Sequence, residues 1–373
     1  MAKREFISTR ILKEGMIIDQ PITDVTGRVM IKKGVYLDAF QIKYLQDRGI
    51  NGVYITDTLV PDEEKKPTEP EKKVVIPDHT KKVIARERVE DPQKVALSAN
   101  VKQRVGEGVQ YLFNNTDSGS FIEETHNIAK DLTDAIFENS AVAVDISMLK
   151  VSDEYTFKHS VDVATMSMII AKKYGLTKEQ VKEIGVAGLL HDVGKSKIPN
   201  EILNKPGRLN DREFQLMKHH SLYGYNILNE KEEGFSKSIM AGVLQHHEKI
   251  NGKGYPMGVG MDQIHLYARL IACADIFDAL VTTRPYKEAF PKREAVEMIM
   301  SMTGELDIKA IEAFLGSVIL YPVDSVVSLS DGRDAKVVSN DPKYPLRPRV
   351  VVIETGEVLD LANDLSCANI IIN

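Results

Sequence analysis

Five histidines recur at a regular pitch through the middle of the chain: His159 in TFKHSVDVA, His191 in LLHDVGK, His220 in MKHHSLYG, and His246 with His247 in QHHE. Asp192 beside His191, and Asp275 in CADIFDAL, complete the series, with successive stations roughly 26 to 32 residues apart. Imidazole and carboxylate together are the donor set that suits Fe, Mn, Zn or Ni. The pitch matches one helix out and one helix back, at ~1.5 Å rise per residue with short loops, so a helical bundle could bring every station to one point. A lone histidine on an apolar helix is more often a hydrogen-bonded core residue than a ligand, and that reading suffices for His79, His126, His219 and His265. It does not suffice for the series, because LLHDVGK places a His and an Asp directly after an apolar run. Burying both without a metal or partners is costly.

The segment HHEKINGKGYP, residues 246–256, poses a local problem. Neighbouring helical side chains point roughly 100° apart, so two adjacent histidines cannot share one helix face. They fit the C-terminal end of a helix, where both can approach one cation from different directions. Glycines and a proline follow, which can turn the chain and hold Tyr255 rigidly.

The elements that must position these residues are legible from period and capping. Residues 1–58 read as a small α+β module with a hairpin at Thr26-Gly27, a helix Ala39–Asp47 opened by an Asp38–Gln41 capping box, and a strand at 53–55. Residues 59–94, which contain PDEEKKPTEPEKK, read as a charged, proline-bearing linker, at least in part, with too little apolar surface in that segment to order itself. From about 95 to 320 the period is helical throughout. Connecting helices at 95–144 carry stripes at Leu97, Val101, Val105, Val109 and Leu112, then at Ile122, Ile128, Leu132 and Ile136. A catalytic region at 145–320 follows, with a helix from Asp153 to Tyr174 and capping boxes at Thr177–Gln180 and Asn210–Glu213. Further helices are expected at 238–248, 267–281, 292–301 and 307–319. Residues 321–373 alternate around Asp331-Gly332 and Thr355-Gly356, a short β-rich appendage. The fold class is therefore mainly α, with a helical bundle between a small α+β module and a β-rich tail.

Composition narrows the classes of function. A length of 373 residues and a net charge of −6 suit a multidomain protein with no broad electrostatic grip on DNA or RNA, though a local basic pocket for a small anion remains open. Two distant cysteines, Cys273 and Cys367, give no disulfide framework and fit a reducing cytosol. MAKREFISTR has no apolar h-region, and the apolar run near Val163–Ala171 is too short for a bilayer, so the expectation is a cytoplasmic protein with no membrane partner.

HDVGK, HHEKINGKGYP, ADIFDAL and RPYKEA, in this order and with flanking His159, resemble the HD-GYP branch of the HD superfamily of metal-dependent phosphohydrolases, over about 145–320. Residues 1–58 resemble a module often placed ahead of such domains in bacteria, which leaves room for signalling partners. The resemblance implies hydrolysis of a 3′,5′-cyclic dinucleotide to the linear dinucleotide and onward to GMP. Cyclic di-GMP is the first choice of substrate and mixed cyclic GMP–AMP the second. It implies two divalent ions, Fe or Mn. His159, His191, Asp192 and Asp275 would hold one, and His220, His246 and His247 the other, with Asp192 bridging and a hydroxide between the ions as nucleophile. Some relatives carry a third metal on a glutamate four residues before the first histidine; here that position is Tyr155, which points to two metals.

The resemblance also assigns roles around the metals. Lys195 would neutralise charge on the scissile phosphate. Asp153 would assist proton transfer to the leaving alkoxide, or serve as a helix N-cap. Tyr255, held by Gly254 and Pro256, would stack on a guanine, and Arg284 and Lys287 would bind phosphate or base, with Asp278 orienting one of them or equally serving as a structural ion-pair partner. Asn251 stands where the family commonly has aspartate. Two other functions stay open at this stage: a non-catalytic cyclic dinucleotide receptor, and an HD hydrolase for other nucleotides. A homodimer through the helices at 97–136 is also open.

Overall fold

The capping signals and apolar stripes carry directly into the elements of the computed structural model, which describes residues 4–9, 12–19, 22–23, 29–32, 34–47, 50, 52–56, 76–92, 99–138, 144–145, 155–205, 207–231, 234–282 and 289–373. The chain separates into two compact units, one of residues 1–75 with 98–102 and the other of 76–97 with 103–373. The first contains strands β1 (Arg4–Ser8), β2 (Ile17–Ile18), β3 (Ile22–Thr23) and β4 (Val29–Ile31), helix α1 (Ala39–Asp47) and strand β5 (Gly52–Thr56). β1 and β2 flank β5 in an antiparallel sheet, and β3 pairs with β4. The expected turn at Thr26-Gly27 lies outside the described residues. The Asp38–Gln41 capping box forms in both directions, at 2.7 and 3.1 Å.

The second unit opens with α2 (Asp78–Glu87), α3 (Ala99–Asn114), α4 (Phe121–Glu138) and a two-residue strand β6 (Val144–Asp145). Then come α5 (Tyr155–Tyr174), α6 (Lys178–Leu190), α7 (Asn200–Leu203), α8 (Asp211–Lys218), α9 (His220–Asn229), α10 (Lys237–Gln245) and α11 (Leu266–Val281). α12 (Lys292–Ser301), α13 (Ile308–Leu315) and strands β7 (Val318–Ile319), β8 (Val326–Ser328), β9 (Asp334–Ser339), β10 (Arg349–Val352) and β11 (Val358–Asp360) complete it. The Thr177–Gln180 and Asn210–Glu213 capping boxes start α6 and α8. Among the described residues, no helix is long and apolar enough to cross a membrane.

Three helices form the centre. α5 is buried on every side from Ser160 to Ala171, α6 is buried over Ile184–Leu190, and α11 is buried along most of its length. A helix that is apolar all round has no solvent face and belongs inside a bundle. α5 and α6 approach closely where Gly188 meets the Ala164 backbone. That contact lies five residues beyond His159 and three before His191, so it sets the two stations side by side.

One expectation is sharpened and a second needs correction. Of the reach 59–94, read as linker at least in part, PDEEKKPTEPEKK lies outside the described residues and 78–87 is helical. α2 packs Ile84 against Val338 and Val351 of the β8–β11 sheet, with Ile76 and Val83 at the margin, and Thr80 Oγ1 donates to the Ile353 carbonyl at 3.0 Å. Average composition hid this stripe, because Ile76, Thr80, Val83 and Ile84 have an apolar partner only once the distant C-terminal sheet exists. The reach 95–320 is likewise not wholly helical, since β6 and β7 pair in parallel. The opposite face of the C-terminal sheet is closed by Leu329, Val337, Val350 and Leu359.

Candidate active site

The stations of the histidine series meet in one place. His159 lies on α5, His191 caps the C-terminus of α6, His220 opens α9, His246 caps the C-terminus of α10, and Asp275 lies on α11. Ring centroids are 5.2 Å apart for His159 and His191, 5.1 Å for His191 and His246, and 5.0 Å for His220 and His247. His159, His191, His220 and His246, with Asp192 and Asp275, are each at most 8% exposed.

Four of the five rings are oriented through the δ nitrogen. His191, His220 and His246 place Nδ1 at 2.7, 2.8 and 2.7 Å from the carbonyls of Gly188, Met217 and Val243. A carbonyl only accepts, so Nδ1 carries the proton and the Nε2 lone pair faces the site. His159 donates Nδ1–H to Asp278 Oδ2 at 2.6 Å, the carboxylate version of the same device. Asp278, expected to orient a basic substrate-binding group, is therefore the partner of a histidine. It lies one turn beyond Asp275 on the same helix face.

The inward-facing atoms are left in need of a cation. His191 Nε2 and Asp192 Oδ1 are buried with no hydrogen-bond partner among the described residues. His220 Nε2 and His246 Nε2 lie 3.3 Å apart with lone pairs opposed, a repulsive contact unless a positive ion sits between them. Two ligands at ~2.1 Å from one metal stand about 3.0–3.4 Å from each other at right or tetrahedral angles, which is the spacing found. His159, His191 and Asp192 form one group of converging donor atoms, and His220, His246 and His247 another. Asp192 turns Oδ2 toward His191 at 3.3 Å and His159 at 3.7 Å, and Oδ1 toward His220 at 3.3 Å. Asp275 likewise faces His159 at 3.2 Å and His247 at 3.8 Å. The donor set fits divalent metal binding.

Charge follows the same division. Burial pulls the His159 imidazolium down, but Asp275 and Asp278 outweigh it and lift the ring to about 10. Burial drives His246 well below its ordinary value, takes His247 down to about 3, and lowers His220, with neighbouring histidines adding to the effect. These three rings are neutral near pH 7, as metal ligation requires. Burial works against the Asp192 carboxylate, yet Lys195, His191 and His220 hold it well below the usual range.

The remaining predicted residues surround this cluster. Lys195 sits in a 3₁₀ turn at 193–197 and its ammonium pairs with Asp192 Oδ2. Gly194 in that turn lies against α9 so closely that a Cβ would stand 1.9 Å from the His220 carbonyl oxygen. Only glycine lets the Asp192 turn dock beside His220. The Tyr255 ring lies 4.6 Å from that of His247, and its backbone N–H donates to the His247 carbonyl at 3.2 Å. Gly254 is required by contact, since a Cβ there would stand 2.4 Å from Glu248 Cα. Pro256 is exposed next to Tyr255, and Asn251 accepts from Lys253 N at 3.0 Å within the turn. Asp153, Arg284 and Lys287, and the side chain of Tyr155, lie outside the described residues. Of the histidines read as structural, His126 bonds the Gly234 carbonyl, His219 that of Gln215, and His265 caps α11.

Glu248 was not singled out by its sequence. It is 4% exposed, and it accepts three backbone N–H groups, from Met257 at 2.6 Å, Gly258 at 3.1 Å and Val259 at 3.2 Å. Gln245 bonds Gln263 O at 3.0 Å and His265 N at 2.8 Å. Together they pin the loop that carries Tyr255 to the end of α10. The available signal was their position: both directly flank the His246-His247 pair.

Comparison with known proteins gives the same region. Residues 143–309 match the family model described as HD domain. A cyclic di-GMP phosphodiesterase of Pseudomonas aeruginosa is 36% identical over 271 residues, covering 70% of this chain and 65% of that protein. A cyclic di-GMP phosphodiesterase of Thermotoga maritima is 38% identical over 175 residues, 46% of this chain and 48% of its own. A 3′3′-cGAMP-specific phosphodiesterase of Vibrio cholerae is 31% identical over 210 residues, 56% and 46%. The chain thus spans about half to two-thirds of the length of these relatives.

Proposed function

We propose that this chain, whose residues 143–309 match the HD domain family model and which is 36% identical over 271 residues to a cyclic di-GMP phosphodiesterase, is an HD-GYP-type metal-dependent phosphodiesterase acting on a 3′,5′-cyclic dinucleotide. Cyclic di-GMP is the first substrate to expect and mixed cyclic GMP–AMP the second, with the linear dinucleotide as product. The observation that carries this reading is Asp192, whose two oxygens face two separate groups of imidazole nitrogens. His159, His191, Asp192 and Asp275 would hold one ion, and His220, His246 and His247 the other, with Fe or Mn as the metals. When bound, such a pair supplies Lewis-acid charge to a phosphodiester and a water acidic enough to act near neutral pH.

The chain's own groups do the rest. Asp278 and the carbonyls of Gly188, Met217 and Val243 fix ring orientation and tautomer. Lys195 balances the shared carboxylate. Glu248 holds the loop that presents Tyr255, whose ring offers a stacking surface for a base. Arg284, Lys287 and Asp153 remain proposed contributors to phosphate binding and proton transfer.

The test is direct. Protein loaded anaerobically with Fe(II) or Mn(II) is incubated with cyclic di-GMP, mixed cyclic GMP–AMP and a nucleoside triphosphate, and products are resolved by chromatography. Linear dinucleotide and a metal content of about two per chain are expected. No linear product at full loading would overturn the reading, and tight binding without turnover would favour a receptor.

A further inference from the structure

A cyclic dinucleotide carries two phosphodiesters, and two metals beside Asp192 can meet only one of them. The second negative charge and its flanking base need partners of their own. Among the described basic side chains at this end of the bundle, Lys195 is already paired with Asp192. Lys218 is not paired with an acid. Its ammonium stands 5.8 Å from the centroid of the Tyr255 ring and 5.4 Å from that of Phe214, and among the described residues no carboxylate lies within ion-pair distance of it. The Tyr255 ring in turn reaches to 4.6 Å from His247. Phe214 is one helical turn before Lys218 on α8 and is 48% exposed, a large ring on a solvent-facing helix with little packing to justify it. A cation flanked by two accessible rings is the arrangement that takes a phosphate together with a stacked base.

We propose that Lys218, Phe214 and Tyr255 form a second nucleotide subsite that binds the phosphate and base remote from the metals. This subsite rests on the cyclic dinucleotide reading above and gives it a chain-specific determinant. The plain alternative is that Lys218 serves only the C-terminal end of α8, where a positive charge is favourable. That alternative affects stability and leaves ligand affinity alone.

Three variants, Lys218→Ala, Lys218→Arg and Phe214→Ala, separate the two. Two quantities are measured on metal-loaded protein: the calorimetric Kd for cyclic di-GMP, and kcat/KM for cyclic di-GMP relative to bis(p-nitrophenyl) phosphate, which has one phosphate and no bases. Lys218→Ala is expected to weaken Kd and lower the ratio about tenfold, the scale of one charge-assisted contact. Phe214→Ala should do so by a similar factor through lost stacking. Lys218→Arg should recover most of the loss. Unchanged Kd and ratio in both alanine variants would overturn the subsite, whether or not the melting temperature falls. Failure of the underlying reading looks different. If the parent protein binds cyclic di-GMP without turning it over, Kd still decides the subsite; if it does neither, both proposals fall.

Discussion

His159 sits inside a long buried helix and faces two carboxylates, whereas His220, His246 and His247 sit at helix ends and face one another. The first half of the site carries its own carboxylates, and without a metal Asp275 and Asp278 raise the His159 ring to about 10 against the pull of burial. Among the described residues, the second half faces no acid apart from Asp192 and the more distant Asp275, and burial keeps its rings neutral. The difference teaches where each half draws its order. The acidic half can be assembled by helix packing alone, because its charges satisfy each other. The histidine half gathers lone pairs against lone pairs, and its arrangement is stabilised by the carbonyls that orient each ring and by whatever cation it binds.

The largest effect is expected where the halves meet. Asp192→Ala removes the carboxylate that faces both groups most closely, and should bring metal content close to zero and turnover at least 10³-fold down, as loss of a shared ligand implies. Metal analysis with product chromatography reads both, and a fully metallated active variant would sink the shared-carboxylate assignment. Next, His246→Ala strikes one half alone. Metal content should fall by about one ion per chain while the other is kept; loss of both ions would erase the distinction drawn between the halves.

Asp278→Asn acts one step further out. The amide oxygen can still accept the His159 Nδ1–H but carries no charge to raise the ring's basicity as a ligand, so metal affinity should drop about 10- to 100-fold, the range for outer partners of ligating histidines. Chelator competition measures this, and an unchanged affinity would show that the acidic half does not depend on its second carboxylate. Glu248→Gln is the mildest. One acceptor oxygen becomes a donor, the Met257–Val259 backbone loses part of its anchor, and KM for the dinucleotide should rise several-fold with metal content intact. If kcat alone fell, the loop would be acting on the metals and not on the substrate.

Much of this was readable in order along the chain. The five histidines, Asp192 and Asp275 were visible by type and pitch, and they converge. Capping at Asp38, Thr177 and Asn210 was legible because each box is a contact between residues three apart. What stayed hidden involved partners far away in sequence. Asp278 looked like a substrate-side acid because its bond to His159 spans 119 residues. α2 was lost in a charged linker because Val338 and Val351, which cover its apolar stripe, come some 250 residues later. Lys195 was legible as a basic group near the His191-Asp192 pair, but its contact with Asp192 Oδ2 depends on the turn at Gly194.

The sequence by itself thus determined the donor inventory, the helical spacing that makes convergence feasible, and the local signals that start and stop the helices. Those properties depend on residue type and on contacts within one turn. Only the tertiary structure decided which nitrogen of each ring faces inward, which oxygen of Asp192 serves which group, and which acid stands behind His159. These depend on distances between helices, and such distances are set by close approaches at Gly188 and Gly194 that no local period encodes.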